Sequence, residues 1–204
     1  MPDTNKVKFG LSMLAYAVAT ANNDGTYDYA TPVMFPGAKN LSLEKQGELT
    51  KYWFDDVAYY VTDSDQGFDG ELEVAKVIDS FNADILGYWD DDSGVSYDNT
   101  RASSSHFALL YQTKGDAHAR RHVIYDCVAG SPSINAASIE DGENEPQTET
   151  IPLTASSVYD SVHQKYISKG SCSPTASAWG TWYDAVHCPW LTTPGDTTPG
   201  KTPG

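Results

Sequence analysis

Apolar and polar positions alternate along much of this chain, in short runs separated by turn residues. From Lys8 to Thr20 small and apolar side chains recur at every second position, Phe9, Leu11, Met13, Ala15, Ala17 and Ala19, which predicts a strand with one apolar face. Asn23-Asp24-Gly25 supplies residues that tolerate positive φ, so a hairpin into 26–35 is expected. Pro32 and Pro36 cannot donate to a ladder, which puts that second strand at an edge or near its ends. A turn at Pro36-Gly37 leads into a short alternating strand around Leu41 and Leu43, which breaks at Gln46-Gly47.

The next segment, Tyr52 to Thr62, reads as a long strand or hairpin arm: Tyr52-Trp53-Phe54 is divided by Asp55-Asp56 from Tyr59-Tyr60-Val61. Phe68 to Val77 continues the sheet. The strongest helix signal lies at about 79–87, where Asp79 is placed to cap the first turn, Phe81, Ile85 and Leu86 form an apolar stripe, and Gly87 supplies a left-handed stop. Two turns of helix are marginal alone in water, so it must pack on the sheet. Asp90 to Ser105 is a polar loop, and His106–Gln112 and Arg121–Ala129 are strands joined across Lys114-Gly115-Asp116. Ser131 to Pro146 reads as acidic loop, Thr148 to Ala155 as a strand, and Ser177 to His187 as a short aromatic helix.

Eight or more strands with one helix and no alternating helical crossovers predict a mainly β protein: an antiparallel sandwich or barrel with one short flanking helix. The expected domain spans 1–190. The Thr/Pro/Gly-rich stretch 191–204 has little to bury and is expected to be disordered.

Composition sharpens this picture. The chain has 204 residues, enough for one well-cored domain with appendages, and its 13 Tyr and 5 Trp favour sheet. Charge is strongly negative, 13 basic against 28 acidic residues or −15, and unevenly placed. Between Tyr52 and Asp98 there are 13 acidic residues and one basic residue, Lys76, and five more acids fall between Glu140 and Glu149. Such a surface repels nucleic acid at close range. The N-terminal residues carry no basic-then-apolar signal pattern and no segment approaches the roughly 20 apolar residues of a membrane span, so the protein is expected in the cytoplasm where it is made. Cys127, Cys172 and Cys188, an odd number without tight spacing, fit a reducing compartment.

Candidate chemistry is thin. His118 and His122 would share a strand face about 13 Å apart, at roughly 3.3 Å per residue, too far for one metal ion. Cys172, His187 and Cys188 lack zinc spacing and a fourth ligand. Asp90-Asp91-Asp92-Ser93-Gly94 has the look of a calcium loop, but Trp89 stands at the first ligand position. Asp55 and Asp56, as strand neighbours, would point to opposite faces, which defeats paired acid–base chemistry. No phosphate-binding or nucleophile motif occurs. The chain is therefore read as a non-enzyme with no cofactor and no metal.

The order of several segments resembles the major tail protein, or tail tube protein, of phages with long non-contractile tails. The segments are Lys6–Leu11, Tyr16–Ala19, Pro36–Leu43, Val57–Val61, Gly70–Val74, Asp79–Phe81, Ile85–Tyr88, Phe107–Leu110, Arg121–Asp126 and Thr148–Thr154. The resemblance implies a β-sandwich flanked by a helix, six subunits closing into a ring, and rings stacking into a tube through which DNA passes without specific binding. It implies a virion location after assembly in the host bacterial cytoplasm, and as partners further copies of the chain and the tape measure, tail terminator and distal tail proteins. No membrane partner is expected. Within that frame Tyr52, Trp53, Phe54, Tyr59 and Tyr60 are candidate subunit contacts. Asp55, Asp56, Asp63, Asp65, Asp69, Glu71 and Glu73 are candidate lumen-lining residues, with Glu140 to Glu145 placed there or between rings.

Two other classes stand beside this one. Tyr52, Trp53, Trp179 and Trp182 as surface aromatics would suit a carbohydrate-binding or adhesion sandwich, and a strongly shifted carboxylate in a pocket would mark a hydrolase.

Overall fold

The computed structural model describes residues 7–47, 49–54, 57–63, 67–115, 117–136 and 146–191, with the backbone alone for 8, 49–54 and 57–63. β1 (Lys8–Ala21) turns through 22–26 into β2 (Tyr27–Tyr29), and β3 (Val33–Met34) returns to pair with β1. Asp24 tightens the turn by accepting from the Thr26 amide and hydroxyl at 3.0 and 2.6 Å. Pro32 and Pro36 stand just outside β3, as missing donors require. β4 (Ala38–Lys45) and β7 (Phe68–Val74) are partners, and between them β5 (Leu49–Phe54) and β6 (Val57–Asp63) form a hairpin of their own.

After α1 (Asp79–Asp84) come a miniature hairpin, β8 (Trp89–Asp90) and β9 (Ser96–Tyr97), and the long strands β10 (Phe107–Gly115), β11 (Arg120–Ala129) and β12 (Glu149–Ser156). β13 (Val158–Asp160), β14 (Lys165–Ile167) and β15 (Lys169–Cys172) follow. Nine strands make one sheet in the order β2-β1-β10-β11-β12-β7-β4, with β3 beside β1 and β15 beside β11. Its ladders are antiparallel. The protein is mainly β, a sandwich rather than a barrel: among the described residues no ladder joins β4 back to β1.

The sheet bends so that its two halves face each other across a first core. Leu14, Tyr16, Phe107, Leu109, Ile124 and Cys127 from one half meet Leu72, Val74, Ile151, Leu153 and Ala155 from the other. α1 sits among them through Phe81, whose ring lies 5.1 Å from Tyr16, 5.1 Å from Phe35 and 5.6 Å from Phe107. The Tyr16 hydroxyl donates to Asp84 at 2.8 Å, and burial pushes its pKa up to about 12. Asp79 is the first helical residue rather than the cap. Extended Ile78 takes that place and offers no side-chain hydrogen bond. Gly87 ends the segment at φ +73°, and a side chain there would also collide with Ala102.

A second core lies on the opposite face of the central strands. Ala15, Ala17, Ala108, Leu110, Val123 and Tyr125 are covered by Val158, Cys172, Trp182, Val186, Cys188 and Trp190. β1 and β10 are therefore buried on both faces, and Phe107-Ala-Leu-Leu110 is a continuous apolar run for that reason. Bulges between Phe9 and Leu11 and between Ser12 and Ala15 break the single-face alternation expected for β1, leaving Phe9 and Met13 exposed.

The C-terminal cover is not the aromatic helix expected over 177–187. It is a single 3-10 turn, Ser177–Trp179, followed by turns. Trp190 anchors it: its indole N–H donates to the Tyr27 carbonyl at 3.2 Å, and its ring packs 5.2 Å from Tyr125. The Tyr29 hydroxyl donates to the Tyr125 carbonyl at 2.7 Å, and the Tyr125 hydroxyl to that of His187 at 2.8 Å. Of the tail expected over 191–204, Leu191 belongs to the 3-10 turn Pro189–Leu191, while 192–204 lie outside the described residues, as do 137–145 of the acidic loop.

Candidate assembly surface

The most distinctive surface element grows out of the β4–β7 ladder. That ladder runs to Lys45 opposite Phe68, and the Gln46 amide then donates to the Gly67 carbonyl at 2.8 Å. Beyond this point β5 and β6 continue as an arm whose strands pair only with each other among the described residues. Thr50 faces Thr62, Tyr52 faces Tyr60 and Phe54 faces Val57, and six residues of strand reach about 20 Å at roughly 3.3 Å per residue. A bulge after Tyr52 pairs Trp53 with Ala58, so Tyr59 has no partner in the ladder. All five contact candidates, Tyr52, Trp53, Phe54, Tyr59 and Tyr60, thus fall on one two-stranded arm. A lone hairpin of this kind is only marginally stable in water, so its natural resting place is against another surface.

The acidic candidates divide. Asp69, Glu71 and Glu73 occupy alternate positions of β7, on the side opposite core-facing Leu72 and Val74. Their ladder neighbours are Glu44, Ser42 and Asn40 on β4 and Thr154, Pro152 and Thr150 on β12, which makes a polar outer face three strands wide. Asp69, Glu71 and Glu44 are exposed. Glu73 is engaged instead: Lys39 Nζ lies 2.7 Å from its carboxylate and the Thr148 hydroxyl donates at 2.5 Å, and these bonds hold its pKa below the usual range. Glu44 belongs to the same acidic face, and the alternation Ser42, Glu44 opposite β7 is the signal that finds it. Asp63 ends β6 opposite Leu49, while Asp55, Asp56, Asp65 and the run Glu140–Glu145 lie outside the described residues.

The residues considered for chemistry are occupied structurally. His122 bonds the Thr113 hydroxyl at 3.0 Å and stacks on Tyr111. Cys127, Cys172 and Cys188 are free and buried, and burial pushes the Cys188 thiol up to about 12. His187 stacks on Trp182, and burial lowers its pKa. In the loop read as calcium-like, Asp91 spends its carboxylate on its own turn, accepting from the Ser93 and Val95 amides and the Tyr97 hydroxyl. Among the described residues no group of three or more His, Cys, Asp or Glu is arranged to hold a metal ion. Among the described residues the carboxylates with shifted pKa values, Asp24, Glu73 and Asp91, are all shifted downward by surface hydrogen bonds, the reverse of a general acid in a pocket.

Two of the aromatics read as surface platforms are not available. Trp182 is buried, and the Arg121 guanidinium lies 4.1 Å over the Trp179 ring while donating to the Trp179 carbonyl. No helix among the described residues is long and apolar enough to cross a membrane.

The fold is an antiparallel sandwich whose end strands have no further ladder partner among the described residues, with a two-stranded arm that pairs only with itself there and an acidic outer face. Residues 2–169 match the family model described as phage tail tube protein, and the chain belongs to that family. It is a structural component of the phage tail and so of the virion, and membership implies self-assembly into a tube. No curated protein matched the sequence. The matched region ends inside β15, so the cover built around Trp182 and Trp190 lies beyond it.

Proposed function

We propose that the protein forms hexameric rings that stack into the tail tube and conduct DNA into the host, with no catalytic role. The observation that carries this reading is the open sheet: among the described residues β4 at one end and β2 at the other have no further ladder partner, and a closed ring of subunits covers such edges. Residues 1–190 act as the tube domain and 191–204 as a dispensable tail. Assembly takes place in the host bacterial cytoplasm, and the tape measure, tail terminator and distal tail proteins complete the tail. Negative-stain microscopy of the purified protein tests the reading directly. Rings or tubes with a central hole are expected, and a 22 kDa monomer at every concentration and in virion preparations would refute it.

The β5–β6 arm is assigned to a neighbouring subunit, with Tyr52, Trp53 and Phe54 as anchors and Tyr59 and Tyr60 beside them. Large aromatics at such positions commonly carry about 2 kcal/mol or more each. Trp53→Ala should leave the circular dichroism and melting temperature of the subunit unchanged while raising the concentration needed for polymerisation. Tubes formed as readily as by the native protein would remove the arm from the interface.

Part of the acidic excess is assigned to the tube lumen, drawn from Asp55, Asp56, Asp63, Asp65, Asp69, Glu71 and Glu73. A wall rich in Lys and Arg would hold phosphates with strong salt dependence, whereas carboxylates repel the duplex within a Debye length of about 8 Å. Exposed Asp69 and Glu71 fit this role better than Glu73, which is bound to Lys39. A reconstruction of the assembled tube should show an acidic inner surface, and a neutral or basic one would contradict the assignment.

A further inference from the structure

The miniature hairpin β8–β9 is built with more care than its size requires. Asp91 holds the turn through the Ser93 and Val95 amides at 2.8 and 2.9 Å and the Tyr97 hydroxyl at 3.1 Å. The backbone adds Asp91 N–H to Val95 O and Gly94 N–H to Asp91 O, both at 3.0 Å, with Gly94 at φ +78° where other residues are strained. This framework orders Trp89 against Tyr97, rings stacked at 4.8 Å, and then leaves them at the surface, 55% and 41% exposed, beside half-exposed Val95. Ordered aromatics left about half exposed are a contact surface in waiting. The knob is acidic, carrying Asp90, Asp91, Asp92 and Asp98 with no basic residue from 77 to 100.

Further along β10 lies a feature of matching character. The seam where β4 fails to join β1 is a cleft of about 610 Å3, lined by Phe9, Leu41, Leu43 and Tyr111. Phe9 is 57% exposed. Lys114 stands opposite Phe9 in the β1–β10 ladder, and Lys39 is at the cleft, sharing its charge with Glu73. Clefts of about 300–1,000 Å3 accept groups the size of one or two aromatic rings.

We infer that the β8–β9 knob of one subunit seats in the β1–β4 cleft of the next, with Trp89 and Tyr97 as its apolar anchor and its carboxylates toward Lys114 and Lys39. The placement supports a contact between copies. The chain reaches the knob just after Ile85, whose carbonyl accepts from the Ser105 amide at 2.8 Å beside the start of β10, while the cleft flanks Tyr111 and Thr113, four and six residues along that strand and so about 13–20 Å away at roughly 3.3 Å per residue. One subunit cannot satisfy itself. Complementary surfaces at separate places on a subunit generate open-ended, head-to-tail growth, the mode a stacked tube uses. The inference rests on the stacked-ring reading above and adds which surfaces meet.

The test combines a truncation with a proximity measurement. Trp89→Ala should fold as the native protein does, because Trp89 is exposed, yet require about 30-fold more protein for tube formation, the effect of losing an aromatic hot spot. Separately, a double variant that keeps Trp89 and Phe9 but carries Ser96→Cys on the knob and Asn40→Cys at the cleft, both exposed positions, is treated with a short bis-maleimide after assembly. The three native cysteines are buried and do not compete. A ladder of covalent oligomers in assembled tubes is expected, and none in dilute protein. Native tubes accompanied by unchanged assembly of Trp89→Ala, or by cross-linking that yields no ladder, overturn this contact and leave the tube reading intact. Native protein that forms neither rings nor tubes at any concentration overturns both.

Discussion

Phe81→Ala is expected to destabilise the subunit by about 3–5 kcal/mol, the range for removing a fully buried ring. Phe81 is inaccessible to solvent and its ring meets those of Tyr16, Phe35 and Phe107, so the substitution empties the point where α1, β1 and β10 converge. It also detaches the helix, which is too short to persist without that contact. Domains of this kind have about 5–15 kcal/mol of total stability, so the variant should lose a large fraction of it. Urea denaturation followed by tryptophan fluorescence measures the loss. A shift below about 1 kcal/mol, less than any named core mechanism delivers, would mean that α1 is not integral to the core.

Truncation at two positions separates structure from appendage. Ending the chain after Cys172 removes Trp182, Val186, Cys188 and Trp190 and uncovers Ala15, Ala17, Ala108, Leu110, Val123 and Tyr125 on the central strands. Each large side chain lost contributes roughly 1.5–3 kcal/mol of burial, so the shortened protein should be insoluble or melt at least tens of degrees lower. Ending it after Leu191 should leave the melting temperature within a degree or two, because the stretch beyond offers no large apolar side chain. Differential scanning calorimetry of the two variants decides. Equal melting temperatures for the Cys172 truncation and the full chain would show that the second core contributes nothing, and a large fall for the Leu191 truncation would show that the tail is docked.

Most of the first core was legible from alternation. Leu41 and Leu43, Leu72 and Val74, and Ile151, Leu153 and Ala155 recur at period two on strands with one polar face, and such strands announce both their direction and their inner side. The helix was legible from the Phe81, Ile85 and Leu86 stripe and the Gly87 stop; it ends at Asp84 rather than 87, and Asp79 is its first residue rather than its cap, because an aspartate at the first helical position gives the same local signal as a capping aspartate. β13, β14 and β15 gave no such warning. They are only three or four residues long and carry little apolar alternation; β13 and β14 pair merely with each other, and β15 owes its strand geometry to β11, far away in sequence. The aromatic cover misled in a different way: Trp179, Trp182, Tyr183 and Val186 fall at helical spacing, yet Arg121 draws Trp179 aside and the remaining chain follows the sheet surface as turns. The arm was legible as two aromatic runs divided by Asp55-Asp56. The β8–β9 knob was taken for plain polar loop, because its order comes from one side chain, Asp91, rather than from any periodic pattern.

β1 lies inside the sheet with both faces covered, and this sets a timetable for the newborn chain. Its ladder partner β10 is about a hundred residues downstream, and the cover on its second face is completed only at Trp190. At about 5–20 residues per second, a ribosome takes roughly 5–20 s to deliver β10 after β1, and several seconds more to reach Trp190. During that interval β1 can pair only with the short strands β2 and β3, and long-range pairing of the kind it makes with β10 folds slowly. The consequence is a natural delay: the second core of the subunit cannot close until the chain up to Trp190 has left the ribosome.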